Sequence, residues 1–273
     1  MQSAFSDYYD SSSMFHGFLP DIMGTRFDIV IIGKGKSETE EVWGKICSEL
    51  RRLERMLNRF DKESEVTQIN LNASRHPVEV SDEMWAILMD CRYYHLATSG
   101  LFDITLKDFS KVIFNENHRS VYFSLKDMHL DFGGYAKGYA LNKLKNILLA
   151  ADIRQCFADF GNSSILALGH HPYGTSWKVG IKNPFVEGEI MDEIELRDES
   201  MSSSGNTSSY TKHIINPLSG EYNEERKLVC AVSHNPVEAE VLTTTLMIAD
   251  PDKKKAIINH FDINTDKIKE YNL

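Results

Sequence analysis

The sequence predicts an α+β fold in a single domain, and three observations predict it. Residues 37 to 57 carry Val42, Ile46, Leu50, Leu53 and Leu57 at helical spacing with charges between them, the pattern of a core-facing amphipathic helix. The second half instead carries short apolar segments of strand-like composition, from "QCFADF" at 155 to "KLVCAVS" at 227. No stretch rich in Gly, Ser or Pro divides the chain, and it has no internal repeat. With 273 residues, 42% of them hydrophobic, the chain can bury one sizeable core.

Taken in order, residues 1 to 20 are rich in Ser and Tyr and read as a loose arm ahead of a domain over 21 to 273. "TRFDIVIIG" alternates well enough for a strand ending at Gly33. Ser37 and Glu40 spell a capping box for the first helix, since a serine side chain and a glutamate three residues on satisfy each other's free N–H groups. A second helix is expected from Ser81 to Ser99, stopped by Gly100. Residues 121 to 132 read as a short β segment, and the helix that opens at Gly134 continues through Leu141, Leu144 and Leu148. Strands are expected at "QCFADF", "SSILALG", "WKVGIK", "DEIELRD" and "KLVCAVS". Pro236 starts a helix over "PVEAEVLTTTLMIAD", and a last helix covers "DKKKAIINHF".

A net charge of −10 with no basic stripe argues against a nucleic-acid partner. An anionic ligand would need local help from a helix terminus, a lysine or a metal ion. Cys47, Cys91, Cys156 and Cys230 are widely spaced in apolar stretches, which points to reduced core thiols rather than a disulfide framework or a zinc site. No apolar run is long enough to span a bilayer, and the N-terminus lacks the features of a secretory leader. The expected compartment is the cytoplasm, or the periplasm if a leader has been removed.

Three stretches carry chemistry-bearing residues. "DFGGYAKGYALN" at 131 to 142 sets two glycines behind Asp131 and a lysine, Lys137, in a first helical turn. A helix start offers free N–H groups and a partial positive charge, so this is either a tight connection or a cradle for a phosphorylated ligand. "AEVLTTT" sets three poor helix formers in a helix, with Glu240 and Thr244 four apart on one face. Those are hard oxygen donors of the kind Mg²⁺ takes beside phosphates; the alternative is a threonine bonded back to a carbonyl and a solvated glutamate. "KHIINPLSG" joins His213, a proton carrier by its ordinary pKa, to an Asn-Pro turn, and also reads as a strand leading into that turn. Phe60 and Phe102 are core residues by default.

These motifs stand in one succession: "MGT", "SGLFDIT", "LDFGGYAKGYALN", "FGNSSILALG", "WKVGIKNP", "KHIINPLSG" and "AEVLTTTLMI". From about Met23 to Asp250 the chain resembles the ApbE-like family, the FAD:protein FMN transferases. The resemblance implies a single α+β domain, related to the T-fold, with an antiparallel sheet and packed helices. It implies FAD as substrate, Mg²⁺ as cofactor, and transfer of FMN to a threonine hydroxyl of a flavin-accepting protein with release of AMP. Carried over by motif, Met23, Phe60, Leu101, Phe102, Asp103, Asp131, Lys137 and Ile214 fall on flavin-nucleotide contacts. The metal is expected between the carbonyl of Gly134, Glu240 and Thr244, with Glu240 and His213 as the residues assisting the chemistry.

The sequence departs from the family pattern at several places. Glu240 stands where the family usually has Asp, Asn216 and Asn142 replace acidic residues, and Thr243 is neutral where some members carry a second carboxylate. The connection from about Lys107 to Leu130 is short. Two other functions therefore stand beside transfer: a Mg²⁺-dependent FAD pyrophosphatase giving FMN and AMP, and a non-catalytic FAD-binding module.

Overall fold

Eight antiparallel strands form the central sheet in the computed structural model, which describes residues 4–208, 214–261 and 263–273. The chain opens with β1 (Phe5–Tyr9), β2 (Met14–Ile22) and β3 (Thr25–Ile32). Next come α1 (Lys36–Leu57), α2 (Glu65–Asn72), β4 (Val78–Glu79) and α3 (Asp82–Ala97). β5 (Val112–Asn115) and β6 (Ser120–Phe123) precede α4 (Ala136–Ala150). The strand-rich part is β7 (Cys156–Phe160), β8 (Ser164–Leu168), β9 (Trp177–Lys182), β10 (Ile190–Leu196), β11 (Glu199–Gly205) and β12 (Lys227–Ser233). The last elements are α5 (Pro236–Leu246), α6 (Pro251–His260) and β13 (Ile268–Asn272).

The sheet order is β1-β2-β3-β7-β8-β11-β12-β13, with β4-β6-β5 and β9-β10 as separate small sheets. Strand alternation gives the central sheet two different faces. Phe27, Ile29, Ala158, Phe160, Leu166 and Leu168 point toward α1 and α4. Ile165, Met201, Leu228, Cys230 and Val232 point the other way, where Trp177, Val179, Ile181 and Leu196 of the β9-β10 hairpin cover them.

The expected N-terminal arm is a β-hairpin instead. Residues 5–9 pair with 14–18, and Phe15, Leu19 and Ile22 are buried. Its inward positions include Gly17, where a side chain would come within 2.8 Å of the Trp43 ring, so α1 sits directly on β2 there. The first helix begins at Lys36 with Gly35 as its cap, and Glu38, not Glu40, reaches back to the cap N–H at 3.2 Å. The expected strand at 121 to 132 shrinks to Ser120–Phe123. Asn70 bonds the Leu130 backbone through both its amide atoms, which holds the following segment as an irregular approach to α4. All four cysteines are buried and free.

Candidate functional site

A cleft opens where the end of α1 and the β2-β3 turn meet the start of α4. It is lined by Met23, Gly24, Glu54, Leu57, Asn58, Arg59, Phe60, Asp131, Phe132, Gly133, Ala136 and Lys137. The turn at its edge has positive φ at both central residues, +52° at Met23 and +79° at Gly24, which is the geometry of a two-residue hairpin turn matched to strand twist. Met23 has a Cβ and tolerates this conformation poorly. Glu54 holds it there by accepting the Met23 N–H at 2.8 Å. Behind the turn, Gly161 between β7 and β8 packs so closely on Thr25 that any side chain would collide with it.

Asp131 turns its carboxylate along the floor. One oxygen accepts the Gly133 N–H at 2.9 Å, and the other lies 3.3 Å from the Arg59 guanidinium. Arg59 in turn lies 4.7 Å above the Phe60 ring. Phe60 is 82% exposed, so its default reading as a core residue fails: it stands on the cleft rim, because the loop after α1 carries it away from the helix's apolar face. Phe102 is buried, as that reading had it. Burial, and then the Arg59 charge, hold the neighbouring His129 below the ordinary imidazole pKa, which keeps it neutral near pH 7.

At the inner end of the cleft α4 crosses α5. Gly138 makes this crossing close, since a side chain there would lie 2.7 Å from the Pro236 carbonyl oxygen and 3.1 Å from Glu240 Cβ. Gly134 packs on Thr244, whose hydroxyl would lie 3.3 Å from an added side chain. Gly134 therefore meets Thr244 just ahead of α4, and Glu240 meets α4 itself at Gly138. Asn235 caps α5 by accepting the Val237 N–H at 3.0 Å, and Pro236 follows at the first helical position.

Glu240 is only 4% exposed, and both its oxygens are occupied. Lys137 Nζ donates to Oε1 at 2.6 Å, and Ser164 Oγ donates to Oε2 at 2.6 Å. Ser202 adds a longer contact to Oε2 at 3.4 Å. Register explains the two serines: Ser164 of β8 is paired with Ser202 of β11, so both hydroxyls point to the same spot beneath α5. Each of the three threonines bonds back to a carbonyl of its own helix, Thr243 and Thr244 to Glu240 and Thr245 to Val241. Thr243 also accepts from Ser204 at 3.0 Å. The alternative reading of this helix is thus half met: Thr244 does bond back, but Glu240 is buried and partnered rather than solvated.

Met23, Phe60, Asp131 and Lys137 converge on the cleft. Leu101, Phe102 and Asp103 do not line it; they lie beside it, tied in where the Ile104 carbonyl accepts the Asp131 N–H at 2.7 Å. Asp103 is fully engaged in its own loop, accepting from the Thr105 N–H and hydroxyl and from the Phe109 N–H. Ile214 is buried with Leu101, Leu242 and Leu246 behind α5. His213 lies outside the described residues. Asn216 serves its turn, accepting the Leu218 N–H at 3.0 Å. Sequence reading missed Glu54, Arg59, Ser164 and Ser202; only Ser164 stood inside a quoted motif.

Comparison with known proteins shows the family and the fold. The model of the ApbE family matches residues 23–120 and 106–266. The chain is similar to a FAD:protein FMN transferase of Klebsiella pneumoniae, 23% identical over 253 residues that cover 79% of this chain and 78% of that protein. It is 22% identical over 277 residues to the FAD:protein FMN transferase of Escherichia coli, covering 86% of this chain and 79% of that one. In fold it is similar to the flavin transferase ApbE from Vibrio cholerae, with a TM-score of 0.81 over 95% of this chain and 97% of that chain at 19% identity. The ApbE protein of Thermotoga maritima gives a TM-score of 0.79 over 93% of both chains at 21% identity.

Proposed function

The chain belongs to the ApbE family, and from that premise we propose that it transfers the FMN half of FAD to a threonine hydroxyl of a target flavoprotein, releasing AMP. The observation that carries the reading is the convergence of Met23, Phe60, Asp131 and Lys137 on one cleft, beside which Gly134 meets Thr244 and Gly138 meets Glu240. Phe60 and Met23 offer apolar surface at the mouth for a flat ring. Lys137 and the backbone at the start of α4 offer positive charge further in, where a pyrophosphate would lie.

The donor set fits Mg²⁺. Glu240, Thr244 and the Gly134 carbonyl are hard oxygen donors with a single negative charge among them, the kind of site that Mg²⁺ completes with substrate phosphate and water. Held there, the ion would neutralise the pyrophosphate and stabilise the leaving oxygen of AMP. Ser164 and Ser202 orient the Glu240 carboxylate from below. Asp131, fixed by Gly133 and Arg59, shapes the nucleotide's seat beside the double glycine. The acceptor hydroxyl must lose a proton, and we assign that help to His213, whose ordinary pKa lies near working pH.

The test is incubation of the protein with FAD, Mg²⁺ and a flavoprotein bearing the target threonine. A covalent yellow acceptor with an equivalent of AMP is the expected result. Free FMN with AMP would make the protein a pyrophosphatase, and unchanged FAD would reduce it to a binding module.

A further inference from the structure

The Lys137–Glu240 pair does more than place a phosphate-binding cation. Lys137 stands in the first turn of α4, where the helix dipole disfavours a positive charge. Its side chain is 20% exposed and lines the cleft, yet its ammonium is drawn inward onto a carboxylate with only 6% exposure. That carboxylate has no other cation within salt-bridge distance among the described residues; its second oxygen is held by a neutral hydroxyl. The lysine thus supplies the positive charge that a buried carboxylate requires when no metal is bound.

We propose that Lys137 is a displaceable stand-in for the metal on Glu240, so that metal and nucleotide bind as a coupled pair. This rests on the reading of Glu240 as a metal ligand. A divalent cation reaching Glu240 meets an oxygen already engaged and a like charge 2.6 Å from it. The ion therefore binds weakly on its own. When an anionic nucleotide enters the cleft, Lys137 has a second anion within the sweep of its flexible four-carbon stem. Turning outward, it frees Glu240 Oε1 and meets the nucleotide in one movement, while Ser164 keeps the carboxylate in place through Oε2. Each ligand then tightens the other by the same factor, as linkage requires. The free protein resists metal because its competent form, with the lysine turned away, is the minor one.

Mn²⁺ titration of the purified protein, followed by the electron paramagnetic resonance signal of the free ion, tests this without reference to turnover. Wild type should bind Mn²⁺ at least tenfold more tightly with FAD present than without it. Lys137→Met should bind Mn²⁺ at least tenfold more tightly than wild type in the absence of FAD, and the effect of FAD on Mn²⁺ should be smaller than in wild type, down to what direct coordination by the pyrophosphate supplies. Lys137→Arg keeps a cation on Glu240 and should remain as weak as wild type; thermal unfolding of all three checks that they are folded. Equal Mn²⁺ affinity in wild type and Lys137→Met, or weaker affinity in the variant, overturns the stand-in role while leaving the metal site intact. Absence of Mn²⁺ binding in every form, with and without FAD, overturns the metal site itself and the inference with it.

Discussion

The two faces of the central sheet bury comparable elements in opposite ways. On the side of the β9-β10 hairpin, Trp177, Val179, Ile181, Leu196, Met201 and Val232 form an apolar layer. On the side of α5, the same strands present Ser164, Ser202 and Ser204 to Glu240 and Thr243, a buried cluster of hydroxyls around one charge. Neighbouring residues of β11 belong to different environments: Met201 packs in the first, and Ser202 serves the second. Apolar burial stabilises in proportion to the area removed from water, whereas a buried polar cluster offsets its own desolvation and adds little. The hairpin face is apolar throughout, whereas the helix-covered face interrupts its own apolar core with a polar cluster beneath α5.

The comparison breaks first at Glu240. Glu240→Gln keeps the shape of the side chain but removes the only charge its helix turns toward the α4 crossing. Turnover of FAD should fall by about a thousandfold, since a metal's charge stabilisation is worth several kcal/mol and each tenfold is about 1.4. Stability should fall by only about 1 kcal/mol, because Lys137 can turn into the cleft and Ser164 still finds an amide oxygen to donate to. Kinetics beside chemical denaturation separates the two effects, and wild-type turnover in the variant would make α5 ordinary scaffold.

Leu196→Ala should behave in the reverse manner. Leu196 is fully buried in the apolar layer, so its truncation should cost about 3 kcal/mol of stability. Activity per folded molecule should not change, as read by denaturant midpoint and by turnover normalised to the folded fraction. Loss of activity at full foldedness would mean that the hairpin face also serves the site.

The smallest effect lies on the outer side of the helix layer and depends on pH. Glu83 at the start of α3 accepts from Arg52 of α1 and from Tyr139 and Lys143 of α4. Burial pushes its carboxyl up, but those partners outweigh burial and lower it from the ordinary 4.5 to about 2. The folded pKa is depressed, so the stabilisation is complete above about 4.5 and is lost as pH falls toward 2. Glu83→Gln should flatten the stability profile in that window, lowering stability at pH 7 and changing it little near pH 2. An unchanged acid limb would show that this partly exposed network is screened by solvent.

The long helices were legible because a helix of several turns repeats its apolar stripe enough times to be seen. α1 buries Val42, Ile46, Leu50, Leu53 and Leu57, the five residues that its spacing selected. α2 has eight residues and buries only Val66 and Ile69, too few to establish a period. β11 was invisible for a different reason. Its segment "ESMSSSG" lacks strand-like composition because its α5-facing positions are serines that serve Glu240 and Thr243. β1 and β2 were concealed by Ser and Tyr at exposed positions, and by a glycine where Trp43 needs room.

By itself the sequence determined the long helices and the strand-rich second half, and it singled out the stretches that hold Gly134, Lys137, Glu240 and Thr244. Each of these rests on local spacing, which backbone periodicity translates directly into a shared face. Tertiary structure alone decided what Glu240 meets. Lys137 is 103 residues away from it in the chain and Ser164 is 76 away. A carboxylate four residues from a threonine reads the same whether water or an ammonium faces it. Only the close crossing at Gly138 and the pairing of Ser164 with Ser202 make it a buried charge with a single cationic partner among the described residues, because partners across a core are set by packing and register, which no local pattern encodes.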